Sequence, residues 1–308
     1  MGASPLRSPR RICLDATPSN IIQIPVSTLE IPPPSRIAVL GVGLLGASVL
    51  RASAAKLPSV RLAAWSRSAS SRAMVGDVAE IFGTPLEAVA GADCVILATP
   101  VDAFAGLLAE IDPGLKSDAW ITDVGSTKRG IHGAARRHLS RPARFVGGHP
   151  MAGSERGGAA EGRASLLEDR VCIVTSTPDT DPAAKAAAER LWAALGGRVV
   201  NLSPEAHDAA VAEVSHLPHA VAALLAALLA ERRPRVDLAA GGLRDTTRIA
   251  GGDPSLWVPI LLENADQVAP LLGLLSDDAL SLRALLEKGD AEGLRRRLES
   301  ARLFRRSL

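Results

Sequence analysis

Between residues 41 and 46 the chain reads Gly41-Val42-Gly43-Leu44-Leu45-Gly46, a spacing that constrains the fold more than any other stretch. A short β-branched and apolar run, residues 36–41 (RIAVLG), precedes it, and an apolar, helix-like stretch follows through Ala55. The first glycine suits a tight strand-to-helix turn. The second lets backbone approach a pyrophosphate, and the third lets helix and strand pack closely. The helix N-terminus adds free N–H groups and the positive end of its dipole. Gly41, Gly43, Leu44, Leu45 and Gly46 are therefore candidates for holding a dinucleotide.

The glycine spacing is weak alone, but alternating units follow it. Residues 60–65, 93–99, 119–124 and 144–147 read as further strands separated by helical stretches. That pattern predicts a doubly wound parallel sheet, a Rossmann-type α/β fold whose ligands sit beyond the carboxyl ends of the strands. Thr99-Pro100 ends one strand, where the proline either shapes the wall of the cofactor pocket or simply stops the strand. The next ends in Asp123-Val124-Gly125-Ser126-Thr127-Lys128. Asp123 joins the cofactor-site candidates, and Ser126 either caps the following helix or turns its hydroxyl into the site. After 144–147 (RFVG), read as the last strand of this sheet, comes Gly148-His149-Pro150-Met151-Ala152-Gly153-Ser154-Glu155. His149, held in a rigid bend just past the strand, is where a catalytic base is expected.

The end of the second strand bears on the choice of cofactor. A carboxylate about 20 residues past the glycines would bond the adenosine ribose 2′-hydroxyl. Ser66, Arg67 and Ser68 stand there instead. Hydroxyls with a guanidinium suit a 2′-phosphate, so NADP is favoured over NAD.

At 308 residues the chain has room for two domains, each with its own core. The expected division is a flexible tail over 1–35, a dinucleotide-binding domain over 36–203 and a helical substrate and dimerisation domain over 204–308. The tail is rich in arginine and proline; a transit peptide is the alternative reading. A net charge of +2 leaves no footprint for nucleic acid or a membrane surface. Cys13, Cys94 and Cys172 lack metal-ligand spacing, so no metal is expected, and they point to a reducing, cytoplasmic compartment. The longest apolar run, residues 220–230, falls short of the ~20 residues that span a bilayer. Helical stretches apolar nearly all round in the second half suggest packing against a second copy of the chain.

With GVGLLG, DVGSTK and GHPMAGSE, the chain resembles the prephenate/arogenate dehydrogenase family of tyrosine biosynthesis. The second half extends the likeness through His207-Asp208, Ser215-His216-Leu217-Pro218-His219, Arg244-Asp245-Thr246-Thr247-Arg248, Pro254 to Trp257, and Glu263-Asn264. The resemblance implies oxidative decarboxylation of a cyclohexadienyl acid, with His149 as base, Ser126 orienting it and the nicotinamide, and Arg248 gripping the ring carboxylate. A salt bridge to Asp245 is the plain alternative for Arg248. His216 and His219 would line the substrate pocket, both tilted toward the cleft by a kink at Pro218. His207 is either a pocket residue or a satisfied structural histidine. By resemblance Glu155 gates the pocket and Trp257 reaches in from a partner subunit, or both are ordinary packing. A homodimer through the helical domain is also implied, and a monofunctional enzyme is expected because the 35-residue tail is too short for a fused chorismate mutase and Leu308 leaves no room for an appended regulatory domain. Two other readings compete: a β-hydroxyacid dehydrogenase, disfavoured because no lysine lies between Lys185 and Lys288, and a non-catalytic NADP-sensing protein, which would not need His149, Ser126 and Arg248 together.

Overall fold

The computed structural model describes residues 33–153 and 157–308. Most of the expected N-terminal tail, including Cys13, and the pocket-gating candidate Glu155 lie outside the described residues. Five strands, β1 (Arg36–Leu40), β2 (Arg61–Trp65), β3 (Glu80–Ile81), β4 (Cys94–Leu97) and β5 (Trp120–Asp123), form a parallel sheet in the order β3-β2-β1-β4-β5. The connections carry α1 (Leu44–Lys56), α2 (Ala69–Ala73), α3 (Pro85–Val89) and α4 (Phe104–Ile111), and α5 (Arg129–His138) follows β5.

Alternation along each strand divides the core in two, because successive side chains point to opposite faces. Ile37, Val39, Cys94 and Ile96 pack with Val49 and Leu50 of α1. Ala38, Leu40, Val95 and Leu97 pack with Phe104, Leu108 and Ile111 of α4 and with Ile131 of α5. Both faces are covered, so β4 and, after Arg36, β1 read as unbroken apolar runs.

The path after α5 departs from the sequence reading. Residues 142–144 form a 3₁₀ turn, and Phe145 makes only an isolated parallel bridge to Ile121. The strand begins later: β6 (Gly147–Pro150) pairs antiparallel with β7 (Val171–Thr175). After α6 (Pro182–Ala194), β8 (Arg198–Leu202) pairs parallel with β7, completing a separate three-stranded sheet. His149 thus lies inside a strand, opposite Ile173, and not in a bend after the nucleotide sheet. Two glycines make this route possible. A Cβ on Gly148 would lie 2.5 Å from the Asp123 carbonyl, and one on Gly147 would lie 2.2 Å from Thr175 Oγ1.

The rest of the chain is helical: α7 (Pro204–Val211), α8 (Leu217–Arg232), α9 (Gly241–Thr247), α10 (Pro254–Glu263), α11 (Ala265–Glu287) and α12 (Ala291–Arg306). A π-helical turn, Ala212–His216, joins α7 to α8, and Pro218 sits in the first turn of α8. Proline lacks the N–H that a continuous helix would use there, and the π-helical turn directly before it is where the regular hydrogen-bond ladder is interrupted. The irregularity before α8 is therefore the π turn, which ends at His216. Residues 204–232 run as one 29-residue helix, long and apolar enough on those two measures to cross a membrane, which the shorter apolar run did not indicate. It also carries four buried polar side chains, His207, Asp208, His216 and His219. Between α10 and α11 the chain bends by 94° at Asn264.

Candidate active site

The turn between β1 and α1 needs its first and third glycines for steric reasons. Gly41 has φ +108°, and a Cβ there would lie 2.5 Å from the Ala98 carbonyl carbon. A Cβ on Gly46 would lie 1.9 Å from the Gly41 oxygen. Gly43 differs: it is the N-cap of α1, and a Cβ there meets nothing within 4 Å. The space over the helix N-terminus, where Leu44 and Leu45 begin the first turn, is open. Beyond β4, Thr99 Oγ1 is buried without a hydrogen-bond partner among the described residues. Pro100 then leads into a 3₁₀ turn over Val101–Ala103. An open glycine cradle, a helix N-terminus and an orphaned hydroxyl along the same strand edge fit a bound dinucleotide.

Past β2, Ser68 caps α2 by accepting from Ser71 N at 3.1 Å. Arg67 is exposed, and the guanidinium of Arg72 folds back onto the Ser66 carbonyl. Two cations and several hydroxyls therefore gather at this strand end. Arg72 carried no sequence motif and becomes visible only because α2 turns it inward.

Asp123 lies beneath the site and not on its surface. It is fully buried, and its oxygens accept from Lys128 Nζ at 2.7 Å, Gly125 N at 2.8 Å and Gly148 N at 2.9 Å. Burial pushes its carboxyl above the ordinary carboxylate value, opposed by Lys128 and the two N–H donors. Lys128, also fully buried, donates to the Gly125 carbonyl at 2.6 Å as well. This pair fixes the loop after β5 and ties it to the start of β6. Ser126, half-buried on that loop, makes no hydrogen bond to His149.

The partner of His149 is His207: Nδ1 and Nε2 are 2.8 Å apart. Behind it, His207 Nδ1 lies 2.8 Å from Asp208 Oδ1. Asp208 also accepts from Lys128 N at 2.7 Å and from Arg129 N and Nε, each at 3.0 Å. Desolvation holds His149 well below the ordinary imidazole range, with Lys128, His207 and His216 adding repulsion. His207 is lowered by burial as well, against the pull of Asp208. Burial alone would raise Asp208, but the hydrogen bonds from His207 and from the Arg129 and Lys128 backbone bring it below the usual carboxylate value.

His216 and His219 converge on Trp257 of the same chain, so this tryptophan does not need a partner subunit to reach them. His219 stacks on it at 3.5 Å with 6° between planes, and His216 meets it edge-on at 6.1 Å. Gly252 leaves room for this stack, since a Cβ there would lie 2.6 Å from Trp257 Nε1. His216 Nε2 and His219 Nδ1 are buried without hydrogen-bond partners among the described residues. Arg248 opens the 3₁₀ turn Arg248–Gly251 and is exposed in the single protomer.

Two family models divide the chain. One describes the nucleotide-binding domain of prephenate dehydrogenase and matches residues 48–201. The other describes the dimerization domain of the same enzyme and matches residues 203–300. The chain belongs to the prephenate dehydrogenase family. A cyclohexadienyl dehydrogenase of Zymomonas mobilis is 35% identical over 84% of this chain and 90% of its own length. A prephenate dehydrogenase of Bacillus subtilis is 34% identical over 88% and 76%. Among solved structures, the prephenate dehydrogenase of A. aeolicus in complex with hydroxyphenyl propionate and NAD+ superposes with a TM-score of 0.83 at 30% identity, covering 91% of this chain and 99% of that one. Synechocystis arogenate dehydrogenase follows at 0.74 and 29%, covering 88% and 99%.

For this family member, sequence reasoning singled out His149, His216, His219 and Trp257, and the fold brings all four to one region. It missed the connections among them. Lys128, Arg129 and Asp208 carried no assigned role, and His207 was left open. The one available signal was the adjacent His207-Asp208 pair, whose spacing to His149 in the chain says nothing about contact.

Proposed function

We propose that the chain catalyses NADP-dependent oxidative decarboxylation of a cyclohexadienyl acid, prephenate or arogenate, to 4-hydroxyphenylpyruvate or tyrosine. The observation that carries this is a buried imidazole, kept neutral by desolvation, at the junction of the dinucleotide sheet and the helical half. Neutral imidazole is the form a general base requires. His149 takes the proton of the ring 4-hydroxyl. When bound, the nicotinamide supplies the acceptor for the hydride leaving that carbon. Arg248 pairs with the ring carboxylate until it departs as CO2, and aromatisation drives the step. His216 and His219 offer unpartnered ring nitrogens to the substrate's polar groups. Ser126, whose hydroxyl is not bonded to His149, serves the nicotinamide side, and Glu155 the pocket entrance. Gly41, Gly43, Gly46, Thr99 and Pro100 hold the dinucleotide; Ser66, Arg67 and Ser68 take its 2′-phosphate.

The same reading makes the protein a cytoplasmic homodimer built through residues 204–308, with residues 36–203 as the dinucleotide unit, and two features support the dimer. The matched dimerization model is one. The other is the row of exposed large apolar side chains on the helices, Leu224, Leu228, Leu262, Leu274 and Leu286 among them.

A steady-state assay crossing prephenate and arogenate with NADP and NAD tests the reading. Turnover of at least one acid, with NADP preferred, is expected, and His149→Asn should abolish turnover while dinucleotide binding persists. Absence of turnover with both acids would sink the assignment.

A further inference from the structure

The chain His149–His207–Asp208 crosses from β6 into α7 and joins the two halves of the molecule through buried side chains. His207 is fully buried, and Asp208 and His149 are nearly so. Each link is 2.8 Å long. The direction of each hydrogen bond follows from what the groups can donate. Among the described residues, every partner of the Asp208 carboxylate is an N–H: Lys128 N, Arg129 N, Arg129 Nε and His207 Nδ1. A carboxylate surrounded only by donors is ionised and acceptor-only, so His207 Nδ1 carries a hydrogen. If His207 is neutral, its Nε2 is then bare and can only accept. His149 Nδ1 must donate to it, and the remaining lone pair of His149 is on Nε2.

We infer that His207 and Asp208 are positioning residues that hold His149 in the tautomer with Nε2 free to accept a proton. The inference rests on the reading of His149 as the base. When Nε2 takes the proton, His149 becomes an imidazolium whose Nδ1–H already points at the His207 lone pair. No further proton moves, and only the His207 imidazole stands between the new charge and the Asp208 carboxylate. An orienting acceptor behind an imidazole does the same work wherever histidine acts as base: it selects the tautomer and steadies the cation. The low proton affinity that burial imposes on His207 is consistent with its neutral form. Lys128 and His216 also face His149 but are not hydrogen-bonded to it, so neither sets its tautomer.

Nitrogen-15 NMR of the full-length protein labelled at histidine tests this without turnover. With six histidines in the chain, His149 and His207 are assignable from His149→Asn and His207→Gln. Both should show a protonated Nδ1 and a bare Nε2 at pH 7.5. A protonated Nε2 on His149 in the wild type overturns the inference. Kinetics supply the second readout. His207→Leu should lower kcat at least tenfold with KM for the acid within twofold, whereas His207→Gln, whose side-chain oxygen can accept from His149, should recover most of the loss. Equal loss in both variants, or wild-type kcat in His207→Leu, also overturns it. If the wild type turns over neither acid, the proposed function fails, while the NMR result still decides the tautomer.

Discussion

Asn264 Nδ2 lies 3.1 Å from His216 Nδ1, and this contact determines which His216 nitrogen carries hydrogen. The amide cannot be flipped. Its oxygen accepts from Arg129 at 3.0 Å, and its nitrogen donates to the Asp208 carbonyl at 2.8 Å. His216 Nδ1 therefore accepts, and the hydrogen is on the unpartnered Nε2 that faces the site. Asn264→Leu would strip the buried His216 Nδ1 of its donor and remove one partner each from the Asp208 carbonyl, which keeps the Ala212 N–H, and from Arg129 Nη2, which keeps Asp266. The expected cost is about 2 kcal/mol in urea unfolding, with a raised KM for the acid. An unchanged unfolding midpoint would show that this amide organises nothing.

The fingerprint glycines should separate by function. Gly46→Ala forces a Cβ to 1.9 Å from the Gly41 oxygen, so the turn cannot form and the protein should lose stability sharply. Gly43→Ala has open space and should fold normally. Its methyl occupies the pyrophosphate approach, so dinucleotide affinity should fall about tenfold or more, ~1.4 kcal/mol. Calorimetric titration against a melting curve distinguishes the two.

Removing either guanidinium after β2 should act on one cofactor only. Arg67→Ala and Arg72→Ala are each expected to weaken NADP binding about tenfold, as loss of a charge-assisted hydrogen bond does, with NAD affinity nearly unchanged. Equal effects on both cofactors would count against a 2′-phosphate site.

Acid should unfold the protein early. Burial lowers His216 from the ordinary 6.5 to about 4 and His132 to about 3. Above pH 6.5 these groups are neutral in both folded and unfolded chains and stability is unaffected. As pH falls below 6.5 the unfolded chain binds protons that the native state refuses, so each site loses about 1.4 kcal/mol per pH unit down to its folded value. The urea midpoint should drop steeply between pH 6.5 and 4.5. Replacing His132, whose Nε2 contacts Thr175 Oγ1 at 2.9 Å, with Gln should flatten that slope.

Charges on the exposed helical leucines should divide the assembly. Leu228→Glu with Leu274→Glu is expected to give a monomer by light scattering, with residues 36–203 still binding NADP. A dimer that survives both changes would put the interface elsewhere.

Local signals announced the parallel sheet because each is short in range. An apolar strand, a glycine turn and a helix occupy some 20 consecutive residues, and alternation repeats the pattern. The same logic misplaced β6. Phe145 and Val146 are as apolar as strand residues, yet they lie at a crossover, and the strand falls on Gly147-Gly148-His149-Pro150, which has weak strand propensity. That assignment depends on the ends of β5 and β7, with Asp123 and Thr175 pressed against the glycines. Likewise Asp123 reads as a cofactor-site candidate because nothing local shows that it is buried against Lys128 beneath the site.

By itself the sequence determined the sheet, the glycine turn, the helical second half and the residue types of the site. Covalent order and hydrophobic period are enough for those. The tertiary structure alone decided what His149 is bonded to. His207 is 58 positions away in the chain and reaches it across an interface between strand and helix. Contacts of that separation depend on how two packed layers meet, and no local pattern encodes them. A base and its orienting partner become one unit only when the folded chain excludes water from both.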